Sequence, residues 1–455
     1  MTAPGENDGK RRGAGDGEGA GEGEGRRTAR SRTPESPGVL DAVGVVFLGP
    51  GEMEIVPYRV DPPGPGEVRV RMAASGVCHS DLHVLDGDWT RPAPTVMGHE
   101  GAGWVESVGP ERAPGTDAAD GPKTPAGRVA APGPGGAARP GADRRPRVGD
   151  FVVLAWTAPC GRCASCGRGE GWLCLTPAGS GHRRAPGDVR IRRPDEAALG
   201  AYSGIGTLGS VQVVAADAAI PVDSRTDPAI AALIGCAITT GIGAVTRTAR
   251  VEPGQTVAVI GLGGVGLAAV LGARLAGASR IVAIDRNAAK LDRAVELGAS
   301  DVVVAAASPA ATATAVRALL ADRPHAAGSS HDTAGAVTGV DHAFETSGTV
   351  AGVETGLAAV RPGGTTVLVG MPPQGARAGL DVYAFVESGA RILASSYGSA
   401  VPAEIFPEIA GYAVEGSLPL ERLIEERIGL ADVPSAFDAL RRGEGARRVV
   451  IYRAS

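Results

Sequence analysis

The sequence predicts an α/β protein of two domains, one β-rich and one built on a doubly wound parallel sheet. Three observations lead there. From about Val43 to Val214, short β-rich runs alternate with Gly/Pro turns, as in GEVRVRMAASGVC and FVVLAW. From about Ile238 to Ala390 the rhythm changes to strand then helix, the pattern of parallel strands covered by helices on both faces. The length, 455 residues, exceeds what a single core ordinarily organises.

The segments follow in order. Residues 1–38, with the run GAGDGEGAGEGEG, bury too little apolar surface to offset their ordering entropy and read as a disordered tail. No apolar h-region follows the Arg-rich patches there, so the segment is not a secretory signal and a cytoplasmic protein is expected. Residues 39–237 form the first part of the β-rich domain, interrupted at 110–147 by a Gly/Pro-rich surface insert. Residues 238–391 form the parallel-sheet domain. Within it TVAVI (Thr256–Ile260) precedes an apolar helix, and RIVAID (Arg280–Asp285) precedes the helical AAKLDRAVELG. A weaker stretch rich in Ala, Ser and Gly, Ala305–Gly339, carries a helical Ala315–Leu320. DHAFETSG, a helix near Val350–Val360 and the strand Thr365–Gly370 follow. Residues 392–455 mix both rhythms and return to the first domain.

Composition excludes some functions. Lysine and arginine number 45 against 50 acidic residues, a net charge of −5, so there is no electrostatic case for nucleic acid. No apolar run approaches the roughly 20 residues that a membrane helix needs, which argues against a spanning protein. The 69 glycines and 34 prolines would suggest disorder if evenly spread; 28 of these 103 fall in the 76 residues of the tail and the insert, and the other 75, still above average usage, serve backbone geometry elsewhere.

Gly261-Leu262-Gly263-Gly264-Val265-Gly266 matches G-x-G-x-x-G between a strand and a helix. Gly261, Gly263 and Gly266 permit a tight turn, close approach of a pyrophosphate and close helix–strand packing. The helix N-terminus at Val265 presents N–H groups to the phosphates. Asp285 ends the next strand, where a carboxylate accepts hydrogen bonds from an adenosine ribose. This favours NAD over NADP. Arg286 works against that preference, because arginine there accommodates a 2′-phosphate, and Lys290 lies within reach of the ribose.

Cys160, Cys163, Cys166 and Cys174 are spaced by two, two and seven residues, which suits a closed tetrahedral structural zinc site. A reducing compartment disfavours disulfides among them. Cys78 in GVCHSD, Cys236 in IGCAITTG and His99-Glu100 in VMGHEGAG would each pass alone for buried or loop residues.

Together, GVCHSDLH, GHEGAG, the four-cysteine run, GCAITTGIGAV and GLGGVG stand in order and at suitable separations. With them the chain resembles the zinc-dependent alcohol dehydrogenases of the medium-chain dehydrogenase/reductase family, from about Val43 to Arg453. The resemblance implies a β-rich GroES-like catalytic domain and a Rossmann doubly wound parallel-sheet domain. It implies two zinc ions per chain, the catalytic one held by Cys78, His99 and Cys236 with a fourth position open. An alcohol bound there loses its proton near neutral pH and can expel hydride. Ser80 takes that proton, and His83 is the outer end of a relay through the cofactor ribose. Asp81 orients the His99 imidazole, and Glu100 approaches zinc during ligand exchange. His79 and Arg447 match positions that contact the cofactor pyrophosphate. His182, His325, His331 and His342 match no motif, and Trp156 and Trp172 are expected to pack on the four-cysteine lobe.

The expected function is NAD-dependent, reversible oxidation of a primary or secondary alcohol by a homodimer or homotetramer. A thiol-dependent formaldehyde dehydrogenase, acting on a mycothiol or glutathione adduct, is the runner-up. The polar anchors of the glutathione-type enzymes correspond here to Trp89 and Ala178, which weakens that reading and suits a narrow pocket for small alcohols. The five arginines of Ala178–Gly200 either recognise an anionic substrate or form a solvated loop. Two other classes remain: a cofactor-binding protein without turnover, its site blocked by the insert, and a zinc-dependent nucleic-acid binder.

Overall fold

The computed structural model describes residues 38–111, 145–174, 189–322, 339–445 and 447–452. The tail, the insert beyond its first and last few residues, Ala178, His182, His325 and His331 lie outside the described residues.

Two sheets make the β-rich part. Glu67–Gly76 is the centre of the seven-stranded one, pairing with Gly101–Val108, Val211–Ala215 and Arg447–Ile451. Its pattern follows strand periodicity: Val68, Val70, Met72 and Ala74 all point into the core. Three of them pack with Val105, Val152, Leu154 and Ile205. The Arg447–Ile451 strand, near the C-terminus, runs antiparallel to Ala74–Gly76. A five-stranded sheet built around Leu40–Gly49 and Glu52–Val60 lies beside it.

The third sheet has six strands, every neighbouring pair parallel. Their spatial order is Asp301–Val304, Arg280–Asp285, Thr256–Ile260, Val340–Glu345, Val360–Leu368, Arg391–Ala394. The strand order reverses between Thr256–Ile260 and Val340–Glu345, and such a switch point opens a crevice at the strand C-termini. Local chemistry sets the flanking helices. Asn287 caps Ala288–Leu297 by accepting from the Ala289 N–H, and Gly298 ends that helix at φ +116°. Thr349 caps Val350–Ala359 in the same way through the Gly352 N–H. The last strand reaches Ala394, three residues past the boundary expected at 391.

One expectation fails. Pro228–Ala249 is a 22-residue run long and apolar enough to cross a membrane. The tertiary structure explains its composition differently, because 94% of its most apolar 18 residues are buried inside the protein. A helix enclosed on all sides is apolar all round, whatever surrounds the protein. Pro228 starts it, and the Asp227 carboxylate accepts from the N–H groups of Ala229 and Ile230. It spans the expected boundary at 237/238, contacting both the β-rich part and helix Gly264–Leu275.

Candidate active site

Cys78 caps the short helix His79–Leu85, which carries four more of the expected residues. Helical periodicity sorts them. Asp81 turns inward and is fully buried, while His79 and His83, four apart, share a face with ring centroids 5.4 Å apart. Ser80 is half-buried in the first turn. His99 and Glu100 lie buried in the loop before strand Gly101–Val108. Cys236 sits in a wide π-type turn, Ile234–Ile238, of the buried helix. Such turns recur at functional sites because they re-aim one side chain without ending the helix.

The fold brings these distant residues together. The ligand atoms of Cys78, His99, Glu100 and Cys236 all lie within 4.8 Å of one another. Asp81 Oδ1 meets His99 Nδ1 at 3.1 Å, leaving the buried Nε2 without a hydrogen-bond partner among the described residues. Cys236 donates to Cys78, and with Arg447 and His99 nearby this holds the Cys78 thiol well below its ordinary range despite burial. The same contact, together with burial, pushes Cys236 well above it. Burial opposes charge on His99, but Asp81 and Cys78 outweigh it and raise the imidazole. A divalent cation resolves this frustration by replacing the shared protons with one charge common to three donors. Two sulfurs and an orphaned imidazole nitrogen are the donor set of an open zinc site.

A second group, the sulfurs of Cys160, Cys163, Cys166 and Cys174, also lies within 4.8 Å. The N–H groups of Cys160 and Cys163 point at the sulfurs of Cys174 and Cys160, each at 3.4 Å. Of the flanking tryptophans, both pack on the main core, and the Trp156 ring lies tilted at 4.3 Å against Tyr397.

The glycine turn behaves as its spacing predicts. Gly261 has φ +90°, and a Cβ there would lie 2.6 Å from Ser347. A Cβ on Gly266 would fall 1.9 Å from the Gly261 carbonyl oxygen. Gly263 faces open space. Val265 is half-buried in the first helical turn. Asp285 accepts from the N–H groups of Leu262 and Asn287, at 2.7 and 2.9 Å, so it braces the turn as well as facing the crevice. Arg286 is exposed and Lys290 half-buried. Arg447 joins the two halves of the site. Its aliphatic stem lies against Gly264, and its guanidinium pairs with Glu100, buried beside the cysteines. That pairing differs from the expected roles, which gave Arg447 to the cofactor and Glu100 to zinc.

Several contacts escaped the sequence reading, although Trp89 itself did not. Asp88 Oδ2 meets His83 Nδ1 at 2.7 Å, and Trp89 stacks on that ring at 4.7 Å while donating its indole N–H to the Pro372 carbonyl. Tyr202 stands edge-on to His99 at 5.5 Å. Glu345 is fully buried at the end of its strand, its carboxyl raised by burial, and it accepts from the N–H groups of Ser347 and Gly348 opposite the glycine turn. No spacing motif marks these contacts. His342 pairs with Gln255 at 2.9 Å and belongs to neither cysteine group.

The geometry and fold define a zinc-type oxidoreductase architecture. Residues 264–411 match the Zinc-binding dehydrogenase family, and residues 64–224 match the Alcohol dehydrogenase GroES-like domain. An S-(hydroxymethyl)glutathione dehydrogenase of Synechocystis sp. is 31% identical over 403 residues, 88% of this chain and 96% of its own. A protein of the same name from Escherichia coli is 32% identical over 411 residues, covering 90% and 98%. The crystal structure of an alcohol dehydrogenase zinc-binding domain protein from Burkholderia ambifaria superposes with a TM-score of 0.76 at 28% identity, covering 91% of this chain and all of that one. The chain belongs to the zinc-dependent alcohol dehydrogenases of the medium-chain dehydrogenase/reductase family.

Proposed function

We propose that the chain oxidises a primary or secondary alcohol to the aldehyde or ketone, reversibly, with NAD. One observation carries this reading: the buried Cys78, His99 and Cys236 set lies beside the glycine turn, bridged to it by Arg447. Zinc held by those three residues would supply the Lewis acidity that makes an alcohol hydroxyl acidic near neutral pH. NAD would supply the hydride acceptor.

The chain's own residues do the rest. Ser80 takes the hydroxyl proton at its Oγ. His83, one turn along and partly exposed, passes it towards solvent. Asp88 occupies His83 Nδ1, so Nε2 is the atom left to exchange the proton. Asp81 fixes the His99 tautomer so that Nε2 faces the sulfurs. Asp285 would bind the adenosine ribose and repel a 2′-phosphate, which selects NAD. Lys290 assists at the ribose, and His79 and Arg447 serve the pyrophosphate. Glu100, within 4.8 Å of the ligand atoms, would offer the metal a further oxygen on leaving Arg447. The other four cysteines would hold a structural zinc.

Trp89, 6% exposed and tied to Pro372, narrows the cleft and favours small alcohols. The names of the Synechocystis and E. coli relatives favour a second reading, in which the substrate is a hydroxymethyl adduct of a low-molecular-weight thiol. A panel of primary alcohols and formaldehyde, with and without glutathione or mycothiol and with NAD or NADP, separates the two. NADH formation from free alcohols supports the first reading, and turnover only with a thiol supports the second. No turnover with two bound zincs would sink both.

We also propose a homodimer. Arg391–Ala394 is an open sheet edge with every residue exposed, and helix Val382–Ser388 beside it buries none. Tyr383 and Val386 are 74% and 72% exposed. A second copy adding the same strand antiparallel about a two-fold axis would cover edge and helix at once. Sedimentation should give twice the chain mass for the parent and the single-chain mass for Val386→Lys. A parent of single-chain mass refutes the dimer.

A further inference from the structure

The parallel sheet ends in a turn of unusual backbone. Tyr397, Gly398 and Ser399 all take left-handed conformations, with φ of +54°, +65° and +50°. Two of the three carry side chains, and such residues persist there only where the surroundings over-determine them. Here the surroundings are the buried helix that bears Cys236.

The contacts are close and specific. Gly398 lies backbone to backbone on that helix. A Cβ there would be 2.5 Å from the Thr239 carbonyl oxygen and 2.9 Å from Gly243 Cα. The helix departs from α geometry on each side of this contact, at Ile234–Ile238 and at Ala244–Ala249. The turn grips both places. Tyr397 donates its hydroxyl hydrogen to the Gly235 carbonyl at 2.5 Å, one residue before Cys236. Ser395 and Ser399 hydroxyls lie 2.9 and 2.8 Å from Thr248 Oγ1, in the second wide turn. The Tyr397 ring is clamped between Trp156, at 4.3 Å, and Phe406, at 6.4 Å. The ring is 2% exposed, and burial keeps its phenol far above the ordinary range, so the group stays a neutral donor.

A wide turn leaves carbonyls short of their usual intrahelical partners, and an external donor can then choose which register the turn adopts. We propose that Tyr397 is a positioning residue for the metal centre, its hydroxyl on the Gly235 carbonyl holding the wide turn in the register that aims Cys236 Sγ at Cys78 and His99. The left-handed turn supplies the reach, because an extended backbone at 397–399 would not bring the ring over the helix while Gly398 touches it. This inference rests on the reading of Cys236 as a metal ligand.

The test uses the zinc-loaded full chain and Tyr397→Phe, which keeps the ring between Trp156 and Phe406 but removes the donor. Release of zinc to a chelator should show one of two phases accelerated about tenfold, the scale of losing a hydrogen-bonded support behind a ligand. The other phase, from the four-cysteine lobe, should be unchanged. With cobalt exchanged into the faster site, the thiolate-to-cobalt absorption band should move in the variant. Thr248→Val loosens the same turn from its other end and should shift both readouts the same way, which covers the case in which Tyr397→Phe does not fold. Release rates and cobalt band equal to the parent's would overturn the proposal, as would equal acceleration of both phases. A parent with a single zinc would instead refute the ligand assignment beneath it.

Discussion

Cys78→Ala should leave about one zinc per chain where the parent holds about two, and lower turnover by about 10⁴-fold or more. The size follows from what the remaining donors can do. His99 and Cys236 are two of three expected ligands, and Glu100 is already paired with Arg447. Without the metal's charge an alcohol keeps its proton until far above neutral pH, and neither Ser80 nor His83 makes up that difference. Cys78 is buried at the cap of a short, largely buried helix and contributes no hydrogen bond through its side chain to that cap. Loss of the bound metal removes its share of the folded state's stability, so a thermal midpoint lowered to that of the parent stripped of the same zinc is part of the expected result. Metal analysis and alcohol turnover check it together. Retention of two zincs, or turnover near the parent's, would refute the assignment.

Gly266→Ala should weaken NAD binding by about 100-fold, equivalent to about 3 kcal/mol. The added methyl would sit 1.9 Å from the Gly261 oxygen and 2.7 Å from Thr346 Oγ1. Neither neighbour can step aside. Thr346 donates to the Ile260 and Gly261 carbonyls, and the Gly261 N–H donates to the Ile284 carbonyl. The helix must therefore move away from the strand, carrying its N-terminal N–H groups off the pyrophosphate. Overpacking of this kind also costs about 1–3 kcal/mol of stability. Fluorescence titration with NADH and thermal unfolding check the two effects. NADH affinity within twofold of the parent's would show that the turn does not carry the cofactor. The contrast is Gly263→Ala, where a Cβ meets nothing within 4 Å and a smaller loss is expected.

How much of this was legible in the chain differs from residue to residue. The glycine turn, Asp285 and the four-cysteine run could be read directly, because each depends on spacing within one short segment. Turn geometry and a strand-to-helix transition are local properties, so one-dimensional spacing encodes them. The grouping of Cys78, His99 and Cys236 was legible only through five motifs standing in family order, since 158 positions of sequence separate the first from the last. Asp88 and Glu345 could not be singled out. An acid after a glycine or at the end of a strand is ordinary chemistry, and its partners are set by how the following loops pack. Tyr397 gave no signal either, since the left-handed turn that aims it is stabilised by the helix beneath.

The Pro228–Ala249 helix shows the same division. Its apolar composition is written in the sequence and guarantees burial. Whether lipid or protein does the burying depends on the sheets and helices that close around it. Likewise, the chemistry of the donors is intrinsic to cysteine and histidine, and spacing within one segment identifies the four-cysteine run and the glycine turn. What makes Cys78, His99 and Cys236 one site is long-range packing: a buried helix, the ends of two central strands and Arg447 converging from distant parts of the chain. Those contacts follow from how apolar faces pair in three dimensions, and no short window of sequence records that pairing.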